Sequence, residues 1–413
     1  MIHYKEFTLD NGLQVIHHPD TTTPLVAINI LYNVGSRDEN PEHTGLAHLF
    51  EHLMFSGSVN IPNYDTPLQQ AGGSNNAFTN TDITNYYITL PAENIETAFW
   101  LESDRMLSLL FNQKNLDVQK GVVIEEFKQR YLNQPYGDIW FKLREALFKT
   151  HPYSWPTIGK SIEHVEKTNL DDIKSFFKRF YNPSNAILCV AGNVQLERVK
   201  ELCNKWFAPI SGGPKNTNHY PVEPPQKEYQ TLQHSASVPH HKLIWAFRNV
   251  ARNHPHYYTS DLLTDMLARS ESSILHNEWV RKHKLCSQVN AYVTGERDPG
   301  ILVVEADLNP NIDPMHAQEI MWKTLQNIEP FLTRSELTKV KNKAQTSYLF
   351  SLTQILNVAM TLSIYKNQGD IELINKEPGL IQNIQIQDVI DYCKTYIQRN
   401  NTTFFHYEPK LNP

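Results

Sequence analysis

The chain has 413 residues, 40% of them hydrophobic and 20% charged, with a net charge of −6. That is the composition of a globular protein with apolar content for two substantial cores, and it supplies no basic stripe for nucleic acid. No segment approaches the roughly eighteen consecutive apolar residues of a membrane-spanning helix, so neither a nucleic-acid nor a membrane role is expected.

Met1–Phe7 lacks the charged and apolar regions of a secretory signal, which points to a cytoplasmic location. Residues 5–34 read as a hairpin about the turn signal Asp10-Asn11-Gly12, followed by the strand Leu25–Tyr32. A polar turn over Asp38–Glu42 leads into a helix that Ser56-Gly57-Ser58 ends. Inside it lies His48-Leu49-Phe50-Glu51-His52. Side chains three and four apart share a helix face, so His48, Glu51 and His52 point one way while Leu46, Leu49, Phe50 and Leu53 cover much of the rest. Imidazoles at i and i+4 are a recurring zinc pair, and an acid between them can take a proton from water, which is the chemistry of metal-assisted hydrolysis. The other reading is a buried amphipathic helix whose histidines are merely hydrogen-bonded.

Two strands follow over Ala71–Thr79 and Asp82–Leu90, then an amphipathic helix over Pro91–Leu110. Residues 116–149 form one long helix or two, broken near Asn133–Gly137. The run Gln119–Lys128 holds the best acidic candidates for a third ligand, Glu125 and Glu126, which point about 100° apart on a helix. His151, a lone loop histidine beside Pro152, reads as solvent-facing. Cys189, Cys203, Cys286 and Cys393 are widely spaced without a Cys-x-x-Cys, as expected of buried thiols.

The order His-x-x-Glu-His, then an acid in a Val-Val-x-x-Glu context, resembles the pitrilysin-like metallopeptidases, the inverzincins, in the short two-domain type related to mitochondrial processing peptidase. The resemblance implies Zn2+ held by His48, His52 and Glu126, with 73 residues between His52 and Glu126 and with Glu51 as the base. Glu125 is then a second-choice ligand or a surface charge, and Gln119 stands where the family usually has another Glu. Gly72-Gly73-Ser74-Asn75-Asn76-Ala77 looks like the family's Gly-Gly-x-x-Asn-Ala strand, an edge that can pair with an extended peptide, with Asn76 and Ala77 as the contacts. An ordinary hairpin with a glycine turn is the alternative there.

A repeat spans the chain. The helix-and-strand pattern Leu170–Tyr181 then Asn185–Gly192 recurs at Ile386–Tyr396 then Asn401–Tyr407, an offset of 216 residues from Asp172 to Asp388. Pro209–Gln230, rich in Gly and Pro, has linker composition. The expected organisation is therefore a metal-carrying domain over 1–210, a linker over 211–230 and a homologous domain over 231–413 without the motif. The fold class expected is α+β: two homologous α/β domains, each a mixed, largely antiparallel sheet with helices on one side, together half of a clamshell. Family members commonly place an Arg and a Tyr seven residues apart in the metal-free domain or a partner chain. Here Arg281 is followed at that distance by Gln288, and aligning on Leu285 puts Ser287 at the tyrosine position, while Tyr292 reads as a strand residue. A homodimer, or a heterodimer with a paralogous chain supplying that pair, is the partner expectation. The functional expectation is a zinc endopeptidase acting on peptides or extended protein segments, the alternative being a non-catalytic core subunit of a larger assembly.

Overall fold

The computed structural model describes residues 1–410, in two compact units. The first comprises Met1–Arg130, His151–Pro221 and Leu349–Lys376; the second comprises Tyr131–Thr150, Val222–Tyr348 and the chain from Glu377 onward.

The first unit is built on a six-stranded sheet of β1 (Lys5–Thr8), β2 (Gln14–Pro19), β3 (Leu25–Tyr32), β4 (Ser74–Thr79), β5 (Thr84–Pro91) and β6 (Ala186–Gly192), in the order β1-β2-β6-β3-β5-β4. β2 and β6 run parallel and every other neighbouring pair is antiparallel. The hairpin β1–β2 forms about Asn11-Gly12 as the sequence suggests, but β6 inserts between β2 and β3. The second unit holds, among the described residues, a sheet of five strands, β7 (Gln230–Ala236), β8 (Lys242–Arg248), β9 (Cys286–Val293), β10 (Ile301–Leu308) and β11 (Thr402–Pro409), in the order β7-β11-β8-β10-β9. Its parallel pair is β7 with β11 and the rest are antiparallel. Leaving β1 aside, the two sheets share one order and one set of directions. The likeness extends to helix starts: Asp172 accepts the N–H of Asn169 and Asp388 that of Gln385, so in both halves of the repeat an aspartate three residues on caps the residue before the helix.

Each unit takes a helix from the other half of the sequence, which the contiguous expectation of 1–210 and 231–413 does not contain. Helix Ile355–Gln368 lays Val358, Ala359 and Leu362 against Ala27, Leu31 and Cys189 of the first sheet, and Ser363 accepts from Asn29 within the same layer. β6 is buried at all positions and β3 at all but Leu25, so the central strands are covered on both faces, where the expectation had helices on one side, because the helix Ile355–Gln368 adds a layer from the far end of the sequence. Helix Ile139–Leu147 belongs in return to the second unit, where Tyr407 donates to Asp138 just before it. The 211–221 part of the linker is tied down as well: Asn216 and Asn218 donate to Asp38 at 2.5 and 2.9 Å, and Asn182 donates to Pro214 O. His151 is buried at 5% exposure against Tyr153, contrary to the solvent-facing expectation, because its imidazole accepts the Tyr153 N–H and starts a helical turn. All four cysteines are free and buried, and among the described residues no single helix is long and apolar enough to cross a membrane.

Burial of the exchanged helix makes the first unit depend on sequence more than three hundred residues away from its hairpin. Leu362→Ala should cost about 2–5 kcal/mol, read as a lower denaturant midpoint for loss of the metal-carrying unit; an unchanged midpoint would contradict this packing.

Candidate metal centre

The motif folds as α1 (Leu46–Leu53), with Ala47, Leu49, Phe50 and Leu53 buried and His48, Glu51 and His52 on the remaining face. Glu126 comes from α2 (Gln113–Phe127), whose start is capped by the Asn112 side chain on the Asn115 N–H. Glu126 Oε2 lies 3.7 Å from His48 Nε2 and 3.5 Å from His52 Nε2, and the three ligand atoms all fall within 4.8 Å of one another. Ligand atoms about 2.0–2.2 Å from one tetrahedral ion stand about 3.3–3.5 Å apart, so these residues close on an ion with small side-chain shifts. The two imidazole planes are nearly perpendicular, at 89°, so both Nε2 atoms face the carboxylate without the rings competing for space.

Electrostatics suit a cation. Burial holds the His48 imidazole down, at about 4, so it is neutral and its lone pair free at neutral pH. The hydrogen bond from His52, with the nearby His48 and Arg130, holds the Glu126 carboxyl below its ordinary value. Arg130, one turn on, sits 2.8 Å from the other Glu126 oxygen and orients it. Two imidazoles and one carboxylate are the donor set of a hydrolytic zinc site that leaves a position open. His48 Nδ1 is buried and has no hydrogen-bond partner among the described residues, so packing alone orients that ring. Glu125 points outward, 60% exposed, and pairs with Lys128 at 2.7 Å. Gln119 lies two turns before Glu126, half-buried.

Glu51 accepts a 2.5 Å hydrogen bond from Thr79, and burial raises its carboxyl above the usual range. Thr79 ends β4, the outer strand, which also carries Asn76 and Ala77. The Asn76 side chain accepts the Ala77 N–H at 2.8 Å, capping a main-chain donor on the strand that, among the described residues, pairs with β5 alone. Gly72, at φ +71, makes the turn into this strand, a conformation that a side chain would strain. Thr79 and Arg130 were not singled out from sequence; Arg130 has a signal, its i+4 spacing from Glu126, and Thr79 lies two residues beyond Ala77 on the same strand face.

In the second unit the corresponding helix Tyr257–Ala268 carries no such motif. Arg281 is 55% exposed and pairs with Glu271 at 3.4 Å, Ser287 and Gln288 are exposed at the start of β9, and Tyr292 lies further along it against Trp140.

Two duplicated α/β units, one of which alone carries an inverted zincin motif, define the class: a pitrilysin-like protein of the short two-domain type. The chain belongs to the peptidase M16 family: residues 14–160 match the model described as insulinase (peptidase family M16), and residues 167–344 match the one described as peptidase M16 inactive domain. It is 28% identical over 413 residues to the zinc protease PqqE of Helicobacter pylori, covering 98% of this chain and 93% of that protein. It is 27% identical over 218 residues, 52% of this chain and 47% of the relative, to the mitochondrial-processing peptidase subunit beta of Caenorhabditis elegans. The crystal structure of a protease from Helicobacter pylori superposes with a TM-score of 0.91 at 28% identity, over 99% of this chain and all of that one.

The His48 environment fixes a pH dependence for the metal-free protein. Above the ordinary value of 6.5 the ring is neutral folded or unfolded; between there and about 4 the unfolded chain takes a proton that the folded one refuses, so stability falls on acidification. Glu126, lowered on folding, loses its contribution further down, below its unfolded value of 4.5. Denaturant unfolding of chelator-treated protein should show a loss on the order of 1–2 kcal/mol from about pH 7.5 to about pH 5, reduced in His48→Gln; equal slopes in the two proteins would contradict the assignment.

Proposed function

We propose that this chain is a zinc-dependent endopeptidase that hydrolyses peptides or extended protein segments. The observation that carries this reading is the convergence of His48, His52 and Glu126 beside Glu51, next to an open strand edge. A zinc ion held by the three residues would supply Lewis acidity for the scissile carbonyl and lower the pKa of water to about 7. Glu51 takes the proton of the attacking water and delivers it to the leaving amine, and its raised carboxyl is matched to both tasks. Thr79 holds one Glu51 oxygen still, leaving the other to face the reacting water. The substrate lies as an added strand along β4, with Ala77 N–H as a main-chain donor that the Asn76 side chain releases when a peptide arrives. Such an edge selects extended backbone more than side-chain identity.

The working unit in this reading is a pair of chains, the second copy or a paralogue bringing the Arg and Tyr that this chain does not place together. The similarity to a beta subunit of a processing peptidase supports pairing. A core subunit without turnover is the second reading; the exposed, ion-paired Arg281 favours it, and Glu51 with its Thr79 support, which a scaffold has no need of, weighs against it.

Glu51→Gln is expected to keep about one equivalent of zinc and to lose about 10²–10⁴-fold in cleavage of a quenched peptide library; full activity in that variant would overturn the assignment. For the wild type, cleavage should rise more steeply than linearly with chain concentration if a second copy completes the site, or appear on adding a paralogous chain. A rate linear at all concentrations and indifferent to added chains contradicts pairing.

A further inference from the structure

α1 begins without a local cap. Gly45, immediately before it, is left-handed at φ 89° and offers no side chain to the free N–H groups of the first turn. The acceptor comes instead from Glu39, buried at 7% exposure: Oε2 takes the Gly45 N–H at 2.9 Å and Oε1 takes the Ala47 N–H at 2.8 Å. A third donor, the Trp155 indole, reaches Oε2 at 3.1 Å. Burial pushes this carboxyl up to about 8 against the pull of the Ala47, Gly45 and Trp155 donors, so acid and anion both lie within reach near neutrality; all three partners donate, and the anion, at a helix start that favours negative charge, satisfies them in full. The same helix start is clamped from outside, since a side chain on Gly45 would run into Ile158 O, and Thr44 Oγ1 accepts the Lys160 N–H at 2.7 Å.

We propose that Glu39 is a positioning residue for the metal centre: by holding the Gly45 and Ala47 N–H groups against the Trp155 indole, its carboxylate sets the rotation and axial place of α1, and so the separation of His48 and His52 from Glu126. The proposal rests on the reading of those three residues as zinc ligands. The side chain next to Ala47 in sequence is a ligand, and α1 has only eight residues, so any turn of its first residues carries directly into the histidines. Glu39 touches neither substrate nor ion; it acts through the helix.

Glu39→Gln keeps the volume and one acceptor but turns an amide NH2 towards N–H donors and abolishes the anionic form. Two readouts separate positioning from general structural loss. Zinc affinity, measured by competition with a chromophoric chelator, should weaken about 10–100-fold, with kcat falling and KM holding. Amide exchange of the metal-free protein should quicken about tenfold or more within Leu46–Leu53 and stay unchanged in the sheet strands. Trp155→Phe, which removes one donor and leaves the carboxylate in place, should move both readouts less. Wild-type zinc affinity with wild-type exchange in Glu39→Gln overturns the proposal, and so does exchange that quickens throughout the unit, which marks a merely structural role. A wild-type protein that holds no zinc would sink the ligand reading, and the proposal for the metal centre with it; zinc in the wild type with an indifferent Glu39→Gln would sink the proposal alone.

Discussion

Three donor atoms from two separate helices must stay within bonding reach of one point, and only rigid packing behind both helices can keep them there. Behind α1 that packing is aromatic: Phe50 lies 5.4 Å from Phe176 and 4.3 Å from Tyr181, and the Tyr181 hydroxyl meets that of Tyr86 on β5. α2 is tied to the same frame by Asn115, which donates to Ser56 O just past α1, and by Lys120, which donates to the carbonyls of Glu166 and Thr168. Fully buried rings of this size contribute about 2–3 kcal/mol each through lost water contact, far more than the exposed Arg130 pair, so the ring cluster and not the surface ion pair decides where the ligands stand.

The same duplicated topology gives one unit a donor set and the other none. In both, a helix follows the central strand β3 or β8 and precedes the outer strand β4 or β9. Only the first has histidines one turn apart on that helix; the second fills the place with Leu262, Leu263, Met266 and Leu267, which go into its core. Duplication therefore preserved the sheet and its cover while the polar face of one helix was free to change. The exchanged helices Ile139–Leu147 and Ile355–Gln368 mean that each sheet is completed by residues from the other half of the sequence, so the units are not contiguous in the chain.

Much of this could be read from the sequence. The His48, Glu51 and His52 face follows from helical spacing, Glu126 followed from the family resemblance and the motif order, and the 216-residue repeat gave two similar sheets because capping residues and apolar periods recur locally. What could not be read is non-local. Nothing in the apolar pattern of Ile355–Gln368 says which sheet it covers, since periodicity fixes a face and not a partner. His151 looked exposed because loop composition is polar, whereas the bound 211–221 strap and Tyr153 bury it. Asp38 looked like an ordinary turn residue, yet it collects the donors of that strap. Thr79 reaches Glu51 only because β4 is the outer strand beside α1, a fact of register that no single stretch contains.

The most direct test of the metal centre is X-ray absorption at the zinc edge on purified chain loaded with one equivalent of zinc. Two imidazole nitrogens and carboxylate or water oxygen at about 2.0–2.2 Å, with no sulfur, is the predicted first coordination sphere. A sphere containing sulfur, one with fewer than two imidazoles, or a chain that retains no zinc would contradict it.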